Sequence, residues 1–578
     1  MKRFVSLFST FVFTTLVVTA CGRSTQDVST VKLRSLTKAE AHADLSELVE
    51  KVRALYGPLE YKEARFGYKL DAVAADHHAL IDAATTDEDS QGVFSQFLAK
   101  LDDAHVSITF KANSSGVASY RIPIFINPIE DRAIVARVDA SLAQEGIAVG
   151  DEIVAIDGVK PMDLLPTINK YRSIANSISN KQLVYLAFYR PFVIKELRPT
   201  SSTARVQVLK ADGTSFERVL TWRAIPIIAP NVTDLVRPTS YADAMGRGFS
   251  VDVGTDMQAA ATGTNGMDLM GSVKPFFATS QVNGHFGLVR TYANNEYLQR
   301  YGLDPAHVPE IYAALYRYNG KTILLVRQPS YSHDKATEGF SNGDYMNEYQ
   351  AILDQYEPFV DGLVLDQTNN GGGSYCEDFF TLFIQQQKSA FVQRMNTDRK
   401  WVIDLHDWAK EVDPALQSEM SRSLVNGANL VEAAYDAGKN LSEPIALMGG
   451  RNLVDPNPAY TWKKPFIVLI NELSASCADA FPLLIKASGV AKLFGERTMG
   501  AGGNVEEVVQ LSNSQAAVRM TRGLFSFYHA NGLYPDQDFV ENNGVQPDVP
   551  FAPTVADFRA GYVGYFDAFN KTLMTVLP

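Results

Sequence analysis

The chain has 578 residues, too many for one hydrophobic core, and should divide into three or four domains. Its apolar content of 46% with 20% charged residues is that of a soluble globular protein, which excludes a disordered or fibrous chain. The net charge of −12 is spread without long basic blocks, so nucleic acid is not an expected partner.

Residues 1–20 read as a targeting segment. Lys2-Arg3 is a basic start, and Phe4–Val18 is an apolar run too short to span a membrane stably. Val18-Thr-Ala-Cys21 resembles the bacterial lipoprotein processing site. That resemblance implies that Cys21 becomes a lipidated N-terminus and anchors an exported protein to a membrane, facing the periplasm or the cell surface. Acyl chains at about 0.8 kcal/mol per buried CH₂ would hold it firmly. Gly22 after the cysteine favours the outer membrane of a two-membrane bacterium.

Residues 21–35 are polar and read as a tether. Residues 36–113 form an expected N-terminal helical domain, with Thr37 as N-cap, Glu40 three residues on, and apolar residues recurring at Leu45, Leu48, Val49 and Val52. It ends in Leu101-Asp-Asp-Ala-His105-Val-Ser-Ile.

Residues 114–225 resemble a PDZ-like, β-rich domain. Tyr120–Phe125 alternates like a strand, and Gly146-Ile-Ala-Val-Gly150-Asp-Glu-Ile-Val-Ala-Ile-Asp157-Gly158 resembles the glycine-bounded hairpin of that fold. Ala204–Leu209, Asp212-Gly213 and Phe216–Trp222 read as a closing hairpin. Such a domain can take an extended chain as an added strand, or serve as a spacer or lid. Residues 226–283 show no clear period and read as a linker or insertion.

An α/β core is expected over 284–578, where strands alternate with helices and indicate a mostly parallel sheet. Gly362-Leu-Val-Leu-Asp366 is an apolar strand followed by Gln367-Thr-Asn-Asn-Gly371-Gly372-Gly373-Ser. Three consecutive glycines allow close approach of a ligand to backbone N–H groups. A mostly helical insertion follows between Lys400 and Ser442. Phe466–Ile470 has the composition of a buried parallel strand, and it leads through Ser474-Ala-Ser-Cys-Ala478 into a helical pattern over 479–487. Strand, small-residue turn and helix together hold a serine hydroxyl at the mouth of a sheet. Paired with the glycine loop, this turn suggests an oxyanion hole built from the N–H groups of Gly372 and Cys477.

These two turns, with Gly495-Glu-Arg-Thr-Met-Gly-Ala501 after them, resemble the C-terminal-processing (tail-specific) and tricorn-core serine peptidases. The resemblance implies an α/β, ClpP/crotonase-like peptidase core and names Ser476 as nucleophile. The tail-specific branch uses a lysine where this chain has Ala501, so the Ser–Lys dyad is absent. The histidine-dependent, tricorn-like branch, with the chlamydial protease-like activity factor among its members, is the one implied. There the segment matching Leu101–Ile108 carries the general base, here His105. The segment matching Phe539-Val-Glu541-Asn-Asn-Gly-Val-Gln-Pro-Asp548 carries a glutamate, here Glu541, that orients the imidazole directly or through a relay. Lys486 is the one nearby sequence alternative for a base.

Cys376 and Cys477 flank the two loops; a disulfide is open to them in an oxidising compartment, and a buried free thiol beside the nucleophile is the preferred reading. His77-His78 lacks metal-ligand spacing, so no metal and no cofactor is expected. The sequence thus points to an exported, lipid-anchored serine endopeptidase acting on polypeptides, with a homodimer left open. The alternative is a catalytically inactive peptide-binding protein on the same fold.

Overall fold

The computed structural model describes residues 35–110, 117–226, 272–289, 299, 311–333, 339–446 and 452–578. Four helices open it, Lys38–Leu55, Leu59–Phe66, Leu70–Ala83 and Asp87–Ala99. The first begins with the expected capping box: Thr37 accepts the Glu40 N–H while the Glu40 carboxylate accepts the Thr37 N–H. Its stripe of Leu45, Leu48, Val49 and Val52 is buried, but not within the helices alone. Leu511, Ala516, Val518 and Met520, far downstream in the chain, complete the same core. The strand Ser107–Thr109 then pairs antiparallel with Ala517–Arg519, Ser107 opposite Arg519. The helical segment is therefore built onto the C-terminal part of the chain instead of standing as a separate unit.

The middle region is β-rich, as expected. Strands Ile124–Ile129, Arg132–Val138, Glu152–Ile156, Thr203–Leu209 and Ser215–Thr221 form a five-stranded antiparallel sheet in that order. Asp157 and Gly158 both have positive φ, 51° and 80°, the backbone that an Asp-Gly turn supplies.

The core sheet has seven strands in the order 286–288, 313–318, 321–327, 362–366, 466–470, 492–495 and 549–550, of which the last five run parallel. Gly362–Asp366 and Phe466–Ile470 are buried along their whole length, because both sheet faces are covered. One face packs on Phe379, Phe383 and Phe481; the other packs on the helix Val563–Met574 through Tyr565, Phe569 and Leu573. Phe277 and Val282 belong to this second core, so the linker reading of 226–283 fails at its end. Two adjacent phenylalanines, Phe276 and Phe277, seat that segment against Tyr562 and Tyr565. The expected insertion is a pair of helices, Arg399–Val412 and Glu419–Asp436, around Trp401, Trp408 and Val431.

Candidate active site

Strand Phe466–Ile470 delivers the chain to the sheet mouth, and helix Cys477–Ser488 leaves it. Between them Ser476 sits at φ 58°, ψ −117°, a backbone state that costs a non-glycine residue about 1–3 kcal/mol unless its surroundings impose it. They do. The Ser476 N–H donates to Asp479 Oδ2 (2.8 Å), the Ala475 N–H to the Asn370 carbonyl (2.9 Å), and the Met499 N–H to the Ser474 carbonyl (2.8 Å). The Ser474 hydroxyl donates to the Gln367 carbonyl (3.1 Å), which is a packing role.

Asp479 was not singled out from the sequence, yet it organises the turn. Fully buried, its carboxylate also accepts from the Thr498 hydroxyl and from the N–H groups of Gly500 (2.8 Å) and Ala501 (3.0 Å). Burial pushes it up to about 6, against the pull of these donors. The loop through Gly500 and Ala501 is thus pinned beneath the Ser476 turn, with Ala501 wholly buried.

The parallel pairing of Asp366 with Leu469 sets the glycine loop beside this turn. Gly372 has φ 99°, and a Cβ there would lie 2.6 Å from both the Ala475 carbonyl and Ser476 Cβ. Only glycine fits. Its N–H, however, donates to Asn370 Oδ1 (2.8 Å). An Asx turn has taken the group that was expected to hold an oxyanion, so in this conformation Gly372 does not offer it. Cys477 opens its helix, and its N–H has no carbonyl within the helix to bond.

Cys376 and Cys477 are joined in a disulfide, Cα atoms 5.5 Å apart, which corrects the free-thiol expectation. Sequence separation hid this: the two residues are 101 apart and meet only because their strands are neighbours.

His105 lies wholly inside, 1% exposed. Its neighbour Ala104 shares a buried cluster with Ala475, Met499 and Ala501, so the helical segment brings the histidine loop to the serine turn. The His105 N–H donates to Asp103 Oδ1 (2.8 Å), whose other oxygen accepts from the Tyr56 hydroxyl (2.8 Å). Neither imidazole nitrogen has a hydrogen-bond partner. Burial drives the imidazole down to about 3, helped by the charges of Arg519 and Lys62 and opposed by Asp103. It is neutral at ordinary pH.

Glu541 does not touch the imidazole. It is fully buried against the side chain of Lys62, which enters from helix Leu59–Phe66 and is equally buried. Lys62 Nζ donates to Glu541 Oε1, to Asn542 Oδ1 (2.6 Å) and to the Asp102 carbonyl (2.8 Å). Glu541 Oε2 accepts the Gly502 N–H (2.9 Å). Two carboxyls, Asp103 and Glu541, share this dry region with one ammonium, so burial and the Asp103 charge raise Glu541 above the usual carboxylate range. Lys62 carried no signal in the sequence; a single lysine in an amphipathic helix reads as solvated surface.

The alternative base is excluded by place. Lys486 is on the surface, its ammonium donating to the Gln546 carbonyl (2.6 Å) beside Asp548. Cys21 lies outside the described residues. Among the described residues no cluster of three or more His, Cys, Asp or Glu suits a metal ion, and no helix is long and apolar enough to cross a membrane.

Residues 322–551 match the model of peptidase family S41. A protein of Chlamydia trachomatis serovar D is 25% identical over 592 residues, covering 95% of this chain and 95% of its own. One from Chlamydia pneumoniae is 24% identical, covering 94% and 91%. Among solved structures, mature CPAF complexed with lactacystin superposes with a TM-score of 0.71 at 23% identity, over 93% of this chain and 99% of that one. Mature CPAF on its own gives the same TM-score at 22% identity. Residues 322–551 are a peptidase family S41 domain, and the chain that carries them is a serine-type peptidase with the fold of CPAF.

Proposed function

We propose that this chain is an exported, lipid-anchored endopeptidase that cleaves polypeptides through Ser476, His105 and Glu541. The observation that carries the reading is the Ser476 elbow, a non-glycine residue held at φ 58° beside the first N–H groups of a helix. Ser476 Oγ attacks the scissile carbonyl carbon, forming a C–O bond, and His105 takes the hydroxyl proton. The Cys477 N–H holds the resulting oxyanion; Gly372 joins it if its bond to Asn370 opens as the carbonyl enters. The C–N bond then breaks as the imidazolium returns its proton to the amine, and water hydrolyses the acyl-enzyme by the same base. Glu541 acts through a relay, since its carboxyl is bonded to Lys62 and Gly502.

Ser476 is wholly buried, and the middle domain contributes to its cover. Asn176 donates to the Met499 carbonyl and Ser179 to the Glu472 carbonyl (2.8 Å). Substrate entry requires this segment to shift, and the hydrogen bond between Ser476 and His105, whose ring nitrogens have no partner in this conformation, forms then, as catalytic contacts commonly do on binding.

The lipid anchor rests on Val18-Thr-Ala-Cys21 alone. Cys21→Ser should move the protein from the membrane fraction to the soluble one, and unchanged sedimentation refutes the anchor. The nucleophile is tested with a fluorophosphonate probe and an unfolded polypeptide substrate. Wild type should label at Ser476, Ser476→Ala should lose about three to six orders of magnitude in turnover, and Ser474→Ala should lose far less. A folded wild type that neither labels nor cleaves would leave the peptide-binding alternative standing.

A further inference from the structure

We propose that Lys62 is a positioning residue for the hydrolytic reaction, tying the His105 loop to the Ser476 turn from a third part of the chain; this rests on the Ser476–His105 reading above.

The connection is continuous. The Asp102 carbonyl, three residues before His105, accepts from Lys62 Nζ (2.8 Å) and from Asn542 Nδ2 (2.7 Å). Lys62 also donates to Glu541 Oε1 and to Asn542 Oδ1 (2.6 Å). Glu541 Oε2 holds the Gly502 N–H (2.9 Å), and the preceding Ala501 N–H is held by Asp479 Oδ2 (3.0 Å), the oxygen that accepts the Ser476 N–H (2.8 Å). The steps to the Asp102 carbonyl are partly buried and the others are wholly buried, where such bonds are strong and an unmade one is expensive. The three ammonium protons meet three acceptors on two chain segments, so Lys62, together with the Asn542 amide, fixes the distance between the histidine loop and the C-terminal turn.

A second consequence is electrostatic. The charges of Arg519 and Lys62 favour the neutral form of the imidazole, and that of Asp103 opposes them. The buried Lys62 ammonium comes from the helical segment.

The test is made on the full-length protein. Lys62→Met should lower kcat on an unfolded polypeptide about 10- to 100-fold, the cost of a small misplacement of catalytic groups. KM should stay within about threefold, because no substrate contact is removed. The rate of fluorophosphonate labelling at Ser476 should fall by the same factor as kcat, with the thermal melt showing a folded protein. Should the single variant not fold, Lys62→Met/Glu541→Gln is compared with Glu541→Gln alone, since removing both partners of a buried pair leaves no uncompensated charge. A folded Lys62→Met with wild-type kcat and labelling rate, or a double variant equal to Glu541→Gln, overturns the assignment. A rise in KM at unchanged kcat does so as well. A wild type that does not label overturns the underlying reading instead, and the Lys62 assignment with it.

Discussion

Asp479 Oδ2 accepts the backbone N–H of Ser476 at 2.8 Å, and the same carboxylate gathers Thr498, Gly500 and Ala501. One side chain in the first turn of helix Cys477–Ser488 therefore holds both the strained serine and the loop beneath it. An aspartate three residues after an N-cap ordinarily stabilises a helix by a few tenths of a kcal/mol. Here it opposes the backbone strain of Ser476 at the elbow itself.

Asp479→Asn should therefore cost activity and stability together. An amide keeps the shape but points an N–H₂ at donors that need an acceptor. Leaving buried N–H groups unsatisfied costs about 1–3 kcal/mol each. The expected result is a loss of at least about 2 kcal/mol by chemical denaturation and a drop of about 10²-fold in kcat as the elbow relaxes. A variant with wild-type kcat would show that the elbow is held by packing alone.

The disulfide between Cys376 and Cys477 staples the helix that follows the glycine loop to the residue that follows Ser476. Closing a segment of 101 residues constrains the unfolded chain, and native disulfides of this kind contribute about 2–4 kcal/mol. Treatment with a reductant, or Cys376→Ala, should lower the melting temperature by several degrees, roughly in line with that contribution. It should also slow turnover, because the Cys477 N–H loses its cross-link to the opposing loop. Thiol counting by mass spectrometry before and after reduction identifies the bond; two free thiols in protein secreted from an oxidising compartment would contradict it.

Glu472 and Glu496 face each other where the middle domain meets the core, with Gln182 Nε2 donating to Glu472 Oε1 (2.6 Å). Burial raises both above the usual carboxylate range, and the charge of Glu472 raises Glu496 further. The sign follows from proton binding: an acid whose pKa is higher folded than unfolded holds its proton in the folded state while the unfolded chain loses it. Its stabilising contribution is complete below the unfolded value of about 4.3 and declines as pH rises above it. Glu496→Gln removes that liability. Calorimetry should find the variant more stable than wild type at pH 8.5, with the difference vanishing near pH 4.5. An equal difference at both pH values would mean that the two carboxyls do not share a proton.

Much of the site was legible in the chain because its signals are local. Phe466–Ile470 followed by small residues reads as strand and elbow, since a strand buried on both faces must be continuously apolar. Gly371-Gly372-Gly373 marks a close approach, and the structure supplies the reason in the 2.6 Å that separates a Gly372 Cβ from Ser476 Cβ. The Thr37–Glu40 capping box and the Asp157-Gly158 turn were fixed by neighbouring residues alone. What the sequence could not decide depends on distances between segments hundreds of residues apart. Cys376 meets Cys477 because parallel strands set their loops side by side, and Gly372 loses its N–H to Asn370 through a side-chain rotamer. Lys62 becomes a buried ammonium because the helical segment has no complete core of its own and folds onto Leu511, Ala516, Val518 and Met520. Periodicity reports which face of a helix is buried, but not what that face meets; the partner of Lys62 is set by tertiary packing, and with it the bonds that Lys62 makes to Glu541 and to the Asp102 carbonyl.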